Sequence, residues 1–159
     1  MRALLFFCLF ACLRAGANDS TLLYRPAAPA EKDIAAALLR ARAEKKHVLL
    51  QVGGNWCVSC YSLHSFLGRD SVLRAHLAAN YVVYHLNYST ENRNEPVLRR
   101  LGYPQRFGFP VLVVLDARGD RLHTQDISLL MKGNGYDRAK LFSFLRNWAP
   151  GALDPMLYQ

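Results

Sequence analysis

Residues 48–60 read Val48-Leu49-Leu50-Gln51-Val52-Gly53-Gly54-Asn55-Trp56-Cys57-Val58-Ser59-Cys60. The first five are apolar except for one amide, a pattern that is typical of a strand buried on both faces of a sheet. Small residues then end the strand, and we expect a helix from Cys57 to about Leu67. Two cysteines are therefore predicted in the first turn of a helix that follows a buried strand.

This position gives the two cysteines different chemistry. Unpaired N–H groups and the positive end of the helix dipole stabilise a thiolate at Cys57, which should ionise more readily than a free thiol. Cys57 is therefore the predicted attacking sulfur. Cys60 lies one turn further into the helix, where it can attack a mixed disulfide on Cys57 and expel the partner, so it is the predicted resolving sulfur.

The segment Trp56–Cys60 after an apolar strand resembles the W-C-x-x-C centre of the thioredoxin superfamily. A second segment, Phe107-Gly108-Phe109-Pro110 before an apolar run, resembles the superfamily's cis-proline, which lies against the two sulfurs. The resemblance implies an α/β, thioredoxin-like fold, a central mixed β-sheet flanked by helices on both faces. The Val-Ser pair between the cysteines is most similar to the C-terminal domain of the bacterial transmembrane disulfide reductase and to its small exported relatives.

The order of predicted elements supports the same fold without the motif, because strands joined by helices and then a closing hairpin and helix favour a mixed sheet. Gly68 predicts a break after the first cysteine-bearing helix, with Asp70 or Ser71 capping a continuation. The other predicted elements are a helix over 31–46, a strand over 81–86, a short helix over 96–101, a hairpin of 111–115 with 120–125, and a last helix capped by Asp137 and ended by Pro150.

The chain begins with Met1-Arg2 and an apolar run too short to span a membrane, followed by Ala15-Gly16-Ala17. We interpret residues 1–17 as a secretory signal peptide. Residues 18–30 are expected to be a linker, although 22–24 could add an edge strand. Residues 31–150 are the predicted thioredoxin-like domain and 151–159 a C-terminal tail. The alternative for the leader is a lipoprotein signal with lipid attached at Cys12.

Removal of the signal would leave Cys57 and Cys60 as the only cysteines, since Cys8 and Cys12 leave with it. No structural disulfide is then possible. In an oxidising compartment, such a pair is expected to be a working redox couple. We therefore expect a periplasmic or secreted protein, or one that is lipid-anchored through Cys12.

The predicted mature chain carries 18 basic and 12 acidic residues, a net charge of +6. The basic residues are scattered, with Arg99-Arg100 as the only adjacent arginine pair. This spread favours a solvated basic surface over nucleic-acid binding. We expect a monomer.

Five further residues are predicted to serve the site. Trp56 should shield the thiolate and, with Phe109 and Pro110, line the substrate-docking surface. Phe109 should shape which partners fit. Gln51 stands where, by the resemblance, thioredoxin carries a buried Asp thought to move the proton of the resolving cysteine. Gln51 is then either a structural amide or a functional one. Proton transfer would pass to water or to His85, which should titrate near neutrality.

Metal and cofactor sites are not expected. His64 lies four residues after Cys60, but two thiols without a second paired motif disfavour structural zinc. Tyr61 follows Cys60 where c-type haem attachment requires His. A Cys-x-x-Cys couple needs no bound cofactor.

The sequence thus predicts an exported thiol:disulfide oxidoreductase with a role in cell redox homeostasis, acting mainly as a reductase on disulfide-containing proteins. Such a protein needs an electron donor, which we expect to be membrane-bound. A disulfide oxidase or isomerase with the same residues is the first alternative. A non-catalytic binding or chaperone module is the second, and the intact Cys-x-x-Cys argues against it.

Overall fold

A four-stranded mixed sheet forms the centre of the chain in a computed structural model that describes residues 22–159. β1 (His47–Gly53) pairs in parallel with β2 (Tyr81–Asn87) and antiparallel with β3 (Val111–Leu115). β4 (Arg121–Asp126) pairs antiparallel with β3, so the strand order is β2-β1-β3-β4. The predicted leader at 1–17 and the start of the predicted linker lie outside the described residues.

Helices cover both faces of this sheet, as the resemblance implies. The helices are α1 (Ala30–Glu44), α2 (Val58–Arg69), α3 (Ser71–Asn80), α4 (Glu95–Arg100) and α5 (Arg138–Asn147). α1 and α4 contribute to the apolar core on one face, and α2, α3 and α5 to the core on the other. A short two-stranded ribbon, β5 (Met131–Lys132) with β6 (Gly135–Tyr136), precedes α5.

β1 is buried along its whole length because it lies between two strands and two helical layers. Val48, Leu50 and Val52 pack into the core on the α1 side, and Leu49 packs into the opposite core. Alternating side chains of one strand thus hold both layers together. This fixes the carboxyl end of β1, from which the cysteine-bearing loop leaves.

Two caps confirm predictions from the sequence, and one boundary differs. The Asp70 carboxylate accepts hydrogen bonds from the backbone N–H groups of Val72 and Leu73, both at 3.0 Å, at the start of α3. Asp137 caps α5 in the same way. Gly68 lies inside α2, so the predicted break at Gly68 is wrong by two residues, because it is the Asp70 cap that ends one helix and starts the next.

The segment before α1 is packed onto the domain, which corrects the prediction of a linker over 18–30 for its described part. Tyr24 is completely buried, and the Pro26 carbonyl accepts a hydrogen bond from the Asn92 side chain at 2.9 Å. Leu22–Tyr24 do not form the suggested edge strand, because side chains rather than a neighbouring strand bond their backbone. We refer to residues 22–29 as the N-terminal arm. The predicted tail contains two short 3₁₀ helices, Pro150–Leu153 and Pro155–Tyr158.

Candidate active site

The two cysteines form a disulfide at the start of α2, with their Cα atoms 5.3 Å apart. Cys57 is the N-cap residue of α2, and Cys60 lies in its first turn. Cys57 is 5% exposed and Cys60 is completely buried. An incoming disulfide can therefore reach Cys57 more readily than Cys60, in keeping with the attacking and resolving roles expected from the sequence.

The helix end places one backbone donor against Cys57. Its Sγ accepts a hydrogen bond from the backbone N–H of Cys60 at 3.2 Å. The same N–H also donates to the backbone carbonyl of Cys57 at 3.0 Å, so it is shared between the two acceptors. A negative charge on Cys57 Sγ after reduction would be stabilised by that donor and by the helix dipole. Among residues 22–159, no charged side chain is hydrogen-bonded to this sulfur.

An aromatic patch of Trp56, Tyr88 and Phe109 borders the disulfide. The Trp56 ring is 56% exposed and meets the Phe109 ring edge-on, with ring centres 5.3 Å apart. Tyr88 stacks on Phe109 at 5.0 Å, and its carbonyl accepts a hydrogen bond from the Trp56 indole at 2.8 Å. The Phe109–Pro110 peptide bond is cis, as the resemblance implies. The patch offers an apolar surface beside the reactive sulfur.

Tyr88 was not singled out from the sequence. It follows β2, and β2 runs parallel to β1, so the ends of the two strands meet at the same edge of the sheet. Its backbone N–H donates to the Gly53 carbonyl at 2.5 Å, which fixes Tyr88 beside the cysteine-bearing loop. Gln51 on β1 pairs with His85 on β2. Had this parallel pairing been inferred from the sequence, it would have placed Tyr88 beside the cysteine-bearing loop.

Gln51 acts as a double donor beneath the disulfide. Its Nε2 donates to the Tyr24 hydroxyl at 2.9 Å and to the backbone carbonyl of Cys60 at 3.0 Å. The amide is thus satisfied in a buried site and holds the first turn of α2 against β1. It contacts the carbonyl of Cys60 rather than its sulfur, which favours the structural interpretation of Gln51.

Tyr24, on the N-terminal arm, is the main residue of the site that sequence reasoning missed. It is completely buried and packs with Cys57 and Cys60 in one cluster, against which Phe109 also packs. A Cβ atom on Gly53 would overlap Cys60 Sγ and lie only 2.7 Å from the Tyr24 hydroxyl oxygen. The space that a side chain at Gly53 would fill is therefore bordered by both the Tyr24 hydroxyl and Cys60 Sγ.

The expected titration of His85 near neutrality is wrong. Burial, with a smaller contribution from neighbouring His64, lowers the pKa of His85 from 6.5 to about 4. Its ring lies edge-on to the rings of Tyr24 and His64, at 5.6 and 5.2 Å between centres. His85 is therefore neutral near pH 7, and it contacts Tyr24, which packs with the two cysteines.

This lowered pKa predicts how stability depends on pH. The unfolded chain binds a proton at His85 near pH 6.5 and the folded chain only near 4, so the free energy of unfolding should fall as pH drops through this window. The loss is at most about 3 kcal/mol. In His85→Phe this contribution should be absent. Urea unfolding of both oxidised proteins from pH 7 to 4 measures it, and identical pH dependence in the two would contradict the expectation.

The described residues contain neither a cluster of metal ligands nor a helix that could span a membrane. Within residues 22–159 no three metal-ligating side chains are grouped as a metal ion would require. The helices of the same residues are all too short or too polar to cross a membrane.

Comparisons with known proteins agree with the geometry. A family model described as thioredoxin-like matches residues 29–117, more than half of the chain. The structure of a disulphide isomerase from Xylella fastidiosa Temecula1 is similar, with a TM-score of 0.69 and 25% identity over 79% of this chain and 95% of that one. No curated protein sequence matches the chain.

Two further structures share the fold. A thioredoxin from Thermus thermophilus is 22% identical, with a TM-score of 0.52 over 71% of this chain and 81% of that one. The oxidised C-terminal domain of DsbD from Neisseria meningitidis is 16% identical, with a TM-score of 0.53 over 76% and 97%.

Proposed function

The chain belongs to the thioredoxin-like family and is a thiol-disulfide oxidoreductase, and we propose that it is exported. We further propose that it acts mainly as a reductase of disulfide-containing proteins. The Cys57–Cys60 couple carries the reaction. Cys57 is the attacking sulfur and Cys60 the resolving one. Trp56 and Phe109 form the surface on which the substrate docks, next to the buried Pro110.

The proposed direction of electron flow rests on the groups that surround Cys57 Sγ. Among residues 22–159, the sulfur is hydrogen-bonded by one backbone N–H and by no charged side chain. The two residues between the cysteines are Val58 and Ser59, and the Val58 side chain is 80% exposed. A couple becomes strongly oxidising when its reduced form is strongly stabilised. The donors at Cys57 are too few for that, which favours a reductase.

The reaction proceeds by two exchanges. The Cys57 thiolate attacks a substrate disulfide, forms a mixed disulfide and releases one substrate thiolate, which takes up a proton. Cys60 then loses its proton, and its thiolate attacks Cys57 Sγ. The second substrate thiolate leaves with the electron pair of the broken bond and takes up a proton. Two electrons and two protons thus pass from the protein dithiol to the substrate.

Each cycle leaves the protein oxidised, so a reductant must restore the dithiol. Outside the cytoplasm there is no supply of reduced nicotinamide. We therefore propose that a membrane-bound dithiol donor supplies the two electrons by the same exchange in reverse. Export itself is proposed from the sequence, on the Arg2-led apolar segment and Ala15-Gly16-Ala17.

A disulfide isomerase is the second candidate, favoured by the likeness to the Xylella disulphide isomerase structure. An isomerase uses the same attack by Cys57, but a thiol of the substrate itself then displaces Cys57. Only the reductase needs Cys60 in each cycle.

One measurement in the source organism tests export and direction together. Cells are quenched in acid, free thiols are labelled with a maleimide, and the intact mass of the protein is determined. We expect a chain that begins at Asn18 and carries two labels, because a reductase is kept reduced. A diacylglyceryl mass on Cys12 would establish lipid anchoring. Retention of Met1 would contradict export, and an unlabelled, oxidised protein would favour an oxidase.

A further inference from the structure

We propose that the Tyr24 hydroxyl donates a hydrogen bond to the thiolate of Cys60 and thereby speeds the second exchange, in which the substrate is released. This inference deepens the proposed disulfide exchange and rests on it, but it holds for either net direction of electron flow. It assigns a chemical role to the N-terminal arm, which precedes the redox motif by about thirty residues.

The positions of Tyr24 and Cys60 in the fold support this role. Tyr24 and Cys60 are both completely buried, and they belong to the same packed cluster. Any side chain at Gly53 would meet both Cys60 Sγ and the Tyr24 hydroxyl, so the two groups lie against the same face of one backbone position. Gln51 bonds both the Tyr24 hydroxyl and the Cys60 carbonyl, which ties the tyrosine to the turn that carries the sulfur.

The hydrogen of the Tyr24 hydroxyl is free. The Tyr24 oxygen accepts from the Gln51 amide, so its own hydrogen points elsewhere. Among residues 22–159 no oxygen, nitrogen or sulfur receives it in the oxidised structure. Reduction breaks the disulfide, and Cys60 Sγ becomes a much stronger hydrogen-bond acceptor once it is ionised. Burial also raises the pKa of Tyr24, which keeps the hydroxyl protonated.

The cysteine-bearing loop itself holds the Tyr24 backbone in place. The Asn55 side chain accepts from the Tyr24 backbone N–H at 3.0 Å and donates to its carbonyl at 2.8 Å. The Tyr61 hydroxyl donates to the same Asn55 oxygen at 2.8 Å. Asn55 and Tyr61 flank the two cysteines in sequence. The loop that carries the sulfurs therefore fixes the backbone from which the hydroxyl reaches them.

The chemistry conserves protons and electrons. In the mixed disulfide Cys57–S–S–R, Cys60 first gives its proton to solvent, and the Tyr24 hydrogen bond stabilises the resulting thiolate. The thiolate attacks Cys57 Sγ, the bond to R breaks, and the R–S⁻ that leaves takes a proton from solvent. Tyr24 keeps its own hydrogen throughout. It lowers the free energy of the attacking anion and is not the base.

Tyr24→Phe removes the hydroxyl and keeps the ring that fills the cluster. The reduced mature protein is mixed with excess 5,5′-dithiobis(2-nitrobenzoate), which releases one coloured thiolate when Cys57 attacks and a second when Cys60 resolves the mixed disulfide. We expect an unchanged first phase and a second phase slowed about three- to fourfold near neutral pH, because loss of the hydrogen bond lowers the thiolate fraction more than it raises the nucleophilicity of the thiolate. The pH midpoint of the second phase should rise by about one unit.

Tyr81→Phe is the matched control. The Tyr81 hydroxyl is also buried, and it donates to the Leu145 carbonyl at 2.6 Å on the α5 side of the sheet. It should lower stability without changing either phase. A second phase in Tyr24→Phe equal to that of the unaltered protein at every pH, or an equal slowing of both phases, would overturn the proposal. Absence of the first phase in the unaltered protein would instead refute disulfide exchange itself.

A measurement on the unaltered protein covers the case in which Tyr24→Phe does not fold. In the NMR spectrum of the reduced protein, the Tyr24 hydroxyl hydrogen should exchange slowly and show a nuclear Overhauser effect to the Cys60 β-hydrogens. A hydroxyl hydrogen with contacts only to other residues would overturn the assignment.

Discussion

Cys57→Ser should abolish disulfide reduction, with the rate falling by a factor on the order of a thousand or more. A serine hydroxyl is almost entirely protonated near neutral pH, and neither the helix end nor the Cys60 N–H that faces Sγ can ionise it. The fold should survive, because serine is a good N-cap residue. The measurement is the rate of reduction of a protein disulfide in the presence of a dithiol that regenerates the enzyme.

Cys60→Ser is the matched control, with the same atomic change three residues away. It should retain the first exchange and then stop, so that substrates accumulate as mixed disulfides on Cys57. Their identification would name the partners. Equal loss of the first exchange in both variants, or trapping by Cys57→Ser instead, would contradict the assigned order. Full rearrangement of scrambled disulfides by Cys60→Ser would favour the isomerase.

The second large effect is in the reduction potential. We expect the Cys57–Cys60 couple to lie nearer the thioredoxin value of about −270 mV than the value of about −120 mV for a strong oxidase. That gap of roughly 150 mV corresponds to about 7 kcal/mol for two electrons, which is large enough to decide the direction of electron flow. Stabilisation of the reduced form is what raises a potential, and it acts mainly through the Cys57 thiolate.

The structure describes few groups that could stabilise this thiolate. The sulfur faces the N–H of Cys60, and the intervening Val58 and Ser59 carry no charge. The proposed hydrogen bond from Tyr24 acts on Cys60, whose thiol is protonated in the resting dithiol, so it should affect the exchange rate more than the potential. A low potential and a fast second exchange are therefore compatible.

The parts of the fold that could be predicted from the sequence depend on local patterns. The apolar run of β1, the two cysteines at the start of α2 and the Asp70 cap each follow from residues close together in the chain. So does the hairpin of β3 and β4. These elements, with the cis-proline motif, were sufficient to predict a mixed sheet with helices on both faces.

The parts that could not be predicted depend on contacts between distant segments. The prolines of the N-terminal arm favoured a linker, but Asn55 bonds the backbone of Tyr24 and turns its ring into the core. The pKa of His85 is lowered below neutrality because the ring is buried and Tyr24 and His64 pack against it. The role of Gln51 likewise depends on Tyr24, which lies 27 residues earlier in the chain.

The reduction potential of the Cys57–Cys60 couple tests the proposed reductase most directly. The protein is equilibrated with glutathione redox buffers, and the reduced fraction is determined by alkylation or by the fluorescence of Trp56, which adjoins Cys57. Our account predicts a potential close to about −270 mV. A potential above roughly −160 mV would contradict it and favour an oxidase.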